Sequence, residues 1–161
     1  MGLFMNNHYD AIVIGVGGMG SAALYQLAKR GLHVLGIDQF EVPHSMGSSH
    51  GLTRIIRLAY YEDQSYVPLL RRAYALWAEA EGEYGEQLYF QTGSIDMGPE
   101  DGEVFGGSLQ SCLDNELAHE VLNSKELRER FPGYRMPAET MAVLQPQGGL
   151  LLPERCISAH A

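Results

Sequence analysis

What this sequence lacks sets its first limits. No apolar run approaches the roughly 18 residues that a membrane-spanning helix requires, and the longest candidate, Ala11 to Val16, has the length of a strand. Cysteine is scarce. Cys112 and Cys156 form neither a disulfide framework nor a zinc-ligand spacing, so a reducing cytoplasmic compartment is the simplest expectation. The opening Met1 to Asn7 has no basic segment followed by an apolar one, which argues against a secretory signal. Gly2 does not open a myristoylation motif, because Asn6 stands where Ser or Thr is required, and Met5 offers a second start. Lys and Arg are absent from the whole centre: Ala73 to Ser124 holds 11 acids and no base, within a chain of net charge −9. Such a distribution argues against a nucleic-acid partner and reads as a solvated acidic face.

What is present is enough for a packed core. The 161 residues are 45% hydrophobic, about one domain's worth of chain. Glycine, at 19 residues, exceeds its usual share of about 7%, which points to tight turns and close backbone approach.

Ala11 to Ile14 is a short, branched, apolar run closed by Gly15, and is expected as a strand buried on both faces. Met19 to Arg30 carries Ala22, Ala23, Leu24, Leu27 and Ala28 at helical spacing and stops at Gly31, a helix with a glycine C-terminal signal. Val34 to Ile37 is again apolar and closes on Asp38, completing a βαβ unit with two parallel strands. Gln39 to Thr53 lacks periodicity and reads as a long functional loop. Beyond it, Ser65 is expected to cap a helix that runs to about Tyr84 and packs through Trp77. Leu88 to Met97 reads as a strand interrupted by Gly93, Val104 to Leu117 as a helix, and Asn123 to Glu126 as a capping box for a short helix to Arg130. Met141 to Leu144 and Leu150 to Leu152 are expected to pair across a Gly148-Gly149 turn. Pro153 then opens a helical stretch that stops at Ala161 without a cap, as though the chain were cut in mid-helix.

Gly15-Val-Gly17-Gly18-Met19-Gly20 spells G-x-G-x-x-G between a strand and a helix, with an acid, Asp38, at the end of the next strand. Gly15 permits the turn, Gly17 lets a pyrophosphate approach the backbone, and Gly20 allows the helix to lie against the strand. Free amides and the helix dipole favour the phosphate, while Asp38 is expected to read the adenosine ribose and disfavours the 2′-phosphate of NADP. These features do not separate NAD from FAD. His50, Arg54, Arg57 and Tyr60 then fall within eleven positions, cations suited to a carboxylate or to a negatively charged reduced cofactor. His33, His44, His119 and His160 have no partners at metal-ligand spacing, so no metal site is expected.

On these residues the sequence resembles the monomeric sarcosine oxidase and N-methyltryptophan oxidase family of FAD-dependent amine oxidases. The resemblance rests on Gly15 to Asp38, Pro43-His44, Gly47-Ser48-Ser49-His50-Gly51, Thr53-Arg54-Ile55-Ile56-Arg57, Tyr66 to Leu69, Leu76-Trp77 and Thr92-Gly93, and continues weakly to Cys156-Ile157. One departure is Ser49-His50-Gly51-Leu52, where family members often carry His-His-Gly-Asp.

The resemblance implies an α/β fold: an FAD-binding, Rossmann-like (glutathione-reductase-like) βαβ unit with part of a mixed-sheet substrate domain, divided as 1–87, 88–152 and a helix start at 153–161. It implies a flavin that takes hydride from the carbon beside an amine, dioxygen reduced to peroxide, and later hydrolysis of the imine. Residue by residue, it puts His50 and Arg54 beside the flavin as catalytic groups and Arg57 on a substrate carboxylate. The cofactor is expected to contact Gly15, Gly17, Gly18, Met19, Gly20, Asp38, Gln39, Ser48, His50 and Arg54. The covalent flavin-linking residue and an oxygen-activating Lys are expected outside this chain; Cys112 and Cys156 read as ordinary thiols. A related primary-amine, glycine or D-amino-acid oxidase, or a catalytically incomplete nucleotide-binding fragment, remain alternatives, and the oligomeric state is left open.

Overall fold

A computed structural model describes residues 8–161, so the readings of Gly2, Met5 and Asn6 lie outside the described residues. The described chain forms two compact units: residues 8–54, 82–88 and 151–161, and residues 55–81 and 89–150. Tertiary contacts thus return 82–88 and the C-terminal helix to the N-terminal βαβ unit, whereas the sequence suggests a linear division at 87 and 152.

In the first unit, β1 (Ala11–Ile14) pairs in parallel with β2 (Val34–Ile37), in register from Ala11↔Val34 to Ile14↔Ile37. Between them runs α1 (Gly18–Lys29). Its end is set by Gly31 at φ +84°, whose amide donates to the Ala28 carbonyl at 2.8 Å. α5 (Pro153–His160), with Pro at its start, packs on α1.

The expected burial of β1 on both faces is not what is seen. Ile12 and Ile14 are 56% and 86% exposed, while Ala11 and Val13 are half-buried. β2 is the sole strand paired with β1 among the described residues, and α1 covers only the face that bears Val13.

In the second unit, β5 (Ser94–Pro99), β7 (Thr140–Gln145) and β6 (Glu120–Asn123) form an antiparallel sheet with β7 central. α3 (Glu103–Asp114) and α4 (Ser124–Arg130) pack on it. The core beneath α3 gathers Leu58, Ala59, Val67, Phe105, Cys112, Leu117 and Val143. A second sheet orders β3 (Arg54–Ile56), β8 (Gly149–Leu151) and β4 (Tyr89–Gln91).

Two local expectations are corrected. The long helix α2 (Val67–Tyr84) is preceded by a 3-10 turn, Gln64–Tyr66, and the cap is Asp63, whose carboxylate accepts from the Ser65 amide at 2.8 Å; Ser65 is not the cap. That helix seats Val67 in the core with Leu70 and Tyr74 against it, and Trp77 is half-buried. β7 and β8 lie in different sheets and do not pair: the Gly148 amide closes a turn on Gln145, and a Cβ at Gly149 would fall 2.2 Å from the Phe90 carbonyl oxygen, so β8 leaves to lie along β4.

Candidate functional site

At Gly20 the glycine turn after β1 tolerates no side chain, and close packing recurs at Gly36 on β2. A Cβ on Gly20 would stand 1.7 Å from the Gly15 carbonyl oxygen, and one on Gly36 would stand 2.5 Å from Leu24 Cδ1. Gly15 itself takes φ +91°, and its amide donates to the Ile37 carbonyl at 2.8 Å, fastening the turn to β2. Gly17 is the N-cap of α1 and provides no side-chain cap. The amides of Gly18, Met19 and Gly20 are those a helix start leaves without intrahelical partners, and Ser49 Oγ accepts from Gly18 at 3.1 Å.

Around the turn lies a cleft of about 550 Å³, wholly within the first unit and lined by Gly15, Gly17, Asp38, Gln39, Ser48 and His50 among others. Asp38 is heavily engaged. Its Oδ2 accepts from the Val16 amide at 2.7 Å, and its Oδ1 accepts from the Phe40 amide and His44 Nε2, each at 3.1 Å. Those two amides, Val16 foremost, hold the carboxyl below its ordinary range, and His44 adds to the effect.

Arg54 closes the loop. Its guanidinium donates to the Ser48 and His50 carbonyls at 2.6 Å and to the Thr53 carbonyl at 2.8 Å. His50 Nδ1 lies 2.6 Å from the Gly47 carbonyl, which can only accept, so in the neutral ring Nε2 is the open acceptor. Of the expected cofactor residues, Met19 is 89% exposed, and Gly18, Met19, Gly20 and Arg54 do not line the cleft. Ser49, rather than the expected Ser48, is the hydroxyl on the helix start. Its place in the Gly47 to Gly51 run was the available signal.

Arg57 belongs to the second unit. Nη1 donates to Asp96 at 2.8 Å and Nη2 to both Glu62 oxygens at 2.8 and 3.0 Å. The guanidinium carbon stands 5.0 and 4.9 Å from the Tyr60 and Tyr61 ring centres. Asp96 also accepts from the buried Ser108 hydroxyl at 2.8 Å. Asp96 and Ser108 were not anticipated from the sequence. Nearby, burial first and then Asp96 push the Cys112 thiol up to about 11, an inert thiol. Among the described residues no group of His, Cys, Asp and Glu is arranged to hold a metal, and no helix is long and apolar enough to cross a membrane.

A strand, a glycine-rich turn, a helix start and an acid at the next strand end together define a dinucleotide-binding α/β protein. The chain belongs to the FAD dependent oxidoreductase family, whose pattern matches residues 10–161. It is 44% identical over 156 residues to monomeric sarcosine oxidase of Streptomyces avermitilis, covering 97% of this chain and 41% of that protein. It is 43% identical over 149 residues to N-methyl-L-tryptophan oxidase of Yersinia pestis, covering 92% of this chain and 40% of that protein. Among solved structures it is similar to NikD, an unusual amino acid oxidase essential for nikkomycin biosynthesis, with TM-score 0.83 and 26% identity over 94% of this chain and 39% of that one. The chain therefore spans about two fifths of the length of the relatives it matches.

FAD is the cofactor of this family, and the residues fit it. The Cβ-free cradle at Gly15, Gly17 and Gly20 is backed by helix-start amides and adjoins a cleft bearing a carboxylate.

Proposed function

We propose that the whole protein oxidises a secondary amine of the N-methyl amino acid class, such as sarcosine, with dioxygen reduced to hydrogen peroxide. The observation that carries this reading is the 44% identity to a sarcosine oxidase over nearly the entire chain, together with the fitted cradle. FAD, when bound, supplies a two-electron acceptor for the hydride on the carbon beside the amine nitrogen. The amides of Gly17, Gly18 and Met19, with Gly15, Gly20, Ser48 and Ser49 around them, would hold its pyrophosphate. Asp38, beside Gln39, would accept from the adenosine ribose.

Arg54 would keep the loop that carries His50 in shape and place positive charge toward the flavin ring, favouring its reduced form. Arg57 would meet the substrate carboxylate. Glu62, its more exposed partner, competes for the same edge, and Asp96 holds the other. A residue linking the flavin covalently would lie outside this chain. The scarcity of cysteine, two residues in 161, supports a cytoplasmic setting.

The test is peroxide release by the purified, flavin-containing full-length protein offered sarcosine, N-methyl-L-tryptophan, glycine and a D-amino acid. Turnover of the N-methylated substrates is expected. Turnover of the primary amines alone would overturn the assignment in favour of a glycine or D-amino-acid oxidase.

A further inference from the structure

We infer that His44 is a positioning residue for Asp38, and that it decides which carboxylate oxygen is left to read the adenosine half of the cofactor. The inference rests on the proposed role of Asp38 at the ribose. The Met46 amide donates to His44 Nδ1 at 3.1 Å. A backbone N–H cannot accept, so Nδ1 is the unprotonated nitrogen and, in the neutral ring, Nε2 carries the proton. That proton points to Asp38 Oδ1, 3.1 Å away.

The ring has little freedom to do otherwise. Phe40 meets it edge-on with centroids 5.1 Å apart, and the side chains of His44 and Asp38 are only 19% and 11% exposed. A carboxylate offers about four acceptor positions. Phe40 and His44 fill both on Oδ1, and Val16 takes one on Oδ2, leaving a single uncommitted position, on Oδ2. Removing the imidazole frees one of the two positions on Oδ1, leaving only the Phe40 amide there, and lets the carboxylate turn away from its ligand-reading orientation.

Two probes separate the halves of the cofactor: ADP carries the adenosine without a flavin, and FMN a flavin without adenosine. In equilibrium titrations of the cofactor-free full chain, His44→Ala is expected to weaken ADP by about three- to tenfold, the worth of one ordinary hydrogen bond, with FMN unchanged. His44→Gln, whose amide restores a donor, should recover most of the loss. In an Asp38→Ala background, His44→Ala should cost nothing further. ADP binding that falls with Asp38→Ala but not with His44→Ala overturns the inference and spares the ribose reading. ADP binding indifferent to Asp38→Ala overturns both. A His44→Ala loss that persists without Asp38 marks a role in loop folding and also overturns it. Ring nitrogen NMR of the unsubstituted protein gives an independent check, since a proton on Nδ1 of neutral His44 would exclude the proposed bond.

Discussion

At Gly20 a side chain has nowhere to go, because the nearest obstacle to a Cβ is a backbone oxygen at 1.7 Å that no rotamer change can move. Gly20→Ala is expected to cost about 3 kcal/mol or more, at or beyond the usual range for overpacking. Gly82, inside α2, meets nothing within 4 Å, and Gly82→Ala should stabilise the chain by about 0.5–1 kcal/mol through helix propensity. Urea denaturation of the two variants measures both signs, and equal effects would contradict the close approach of Gly20 to Gly15. Asp38 gives a pH-dependent counterpart. Its carboxyl is depressed in the folded chain, first by the Val16 amide, so its contribution is complete above the unfolded value of about 3.9 and is lost as pH falls through the folded value. Asp38→Asn should therefore be less stable than the parent at neutral pH, and the two should converge in acid. A constant gap from pH 7 to 2 would show that the Asp38 charge contributes nothing. The two arginines should separate kinetically in the whole enzyme. Arg57→Lys loses the planar two-point contact and should raise KM more than it lowers kcat. Arg54→Ala removes the cation and unclamps the Ser48 and His50 carbonyls, so it should lower kcat more than it raises KM. Matching effects would refute this division of labour.

At the scale of elements, local signals succeed where the structure is local. Asn123 Oδ1 accepts from the Lys125 and Glu126 amides at 3.0 Å, and Glu126 returns a contact to the Asn123 amide at 2.9 Å, so the box legible in Asn-Ser-Lys-Glu is the one that forms. Asn123→Ala should cost about 0.5–2 kcal/mol, read as a lower melting temperature; a variant of unchanged stability would show that α4 is held by Leu127 burial alone. The βαβ unit was legible for the same reason: its turn, helix stop and strand ends are each set by a glycine or an acid within a few residues. What was hidden depends on distant partners. Three-residue β3 has no period to read, and β6 is too short to stand out beside its capping box. The separation of β7 from β8 is decided by Phe90, far away in sequence. The candidate site divides likewise: Gly15 to Asp38 is a contiguous motif, whereas Asp96 meets Arg57, and Ser108 meets Asp96, only through tertiary pairing of residues that carry no motif. Even the single-residue errors fit, since Asp63 and Ser65 are both good caps and only the backbone path decides between them.

At the scale of the whole molecule, the first unit carries more apolar surface than a βαβ unit in a finished parallel sheet would. Strands of such sheets are ordinarily covered on both faces, yet Ile12, Ile14 and Ile37 are 56%, 86% and 46% exposed, and Met19 at the helix start is 89% exposed. Ile12, Ile14 and Ile37 share the face of β1 and β2 that α1 leaves uncovered, an apolar exposure of the kind that binds hydrophobic dyes and promotes association. The 161-residue chain, prepared alone, is therefore expected to bind anilinonaphthalene sulfonate while retaining a cooperative unfolding transition, a combination that distinguishes a folded apolar surface from a molten state. Replacing Ile12 and Ile14 with Thr, a residue at ease in strands, should reduce dye binding and self-association while changing stability by only about 0.5 kcal/mol at each exposed site. Dye binding that survives the double replacement would place the accessible apolar surface elsewhere. A large loss of stability would mean that the two side chains are buried in solution, contrary to the exposure seen on β1.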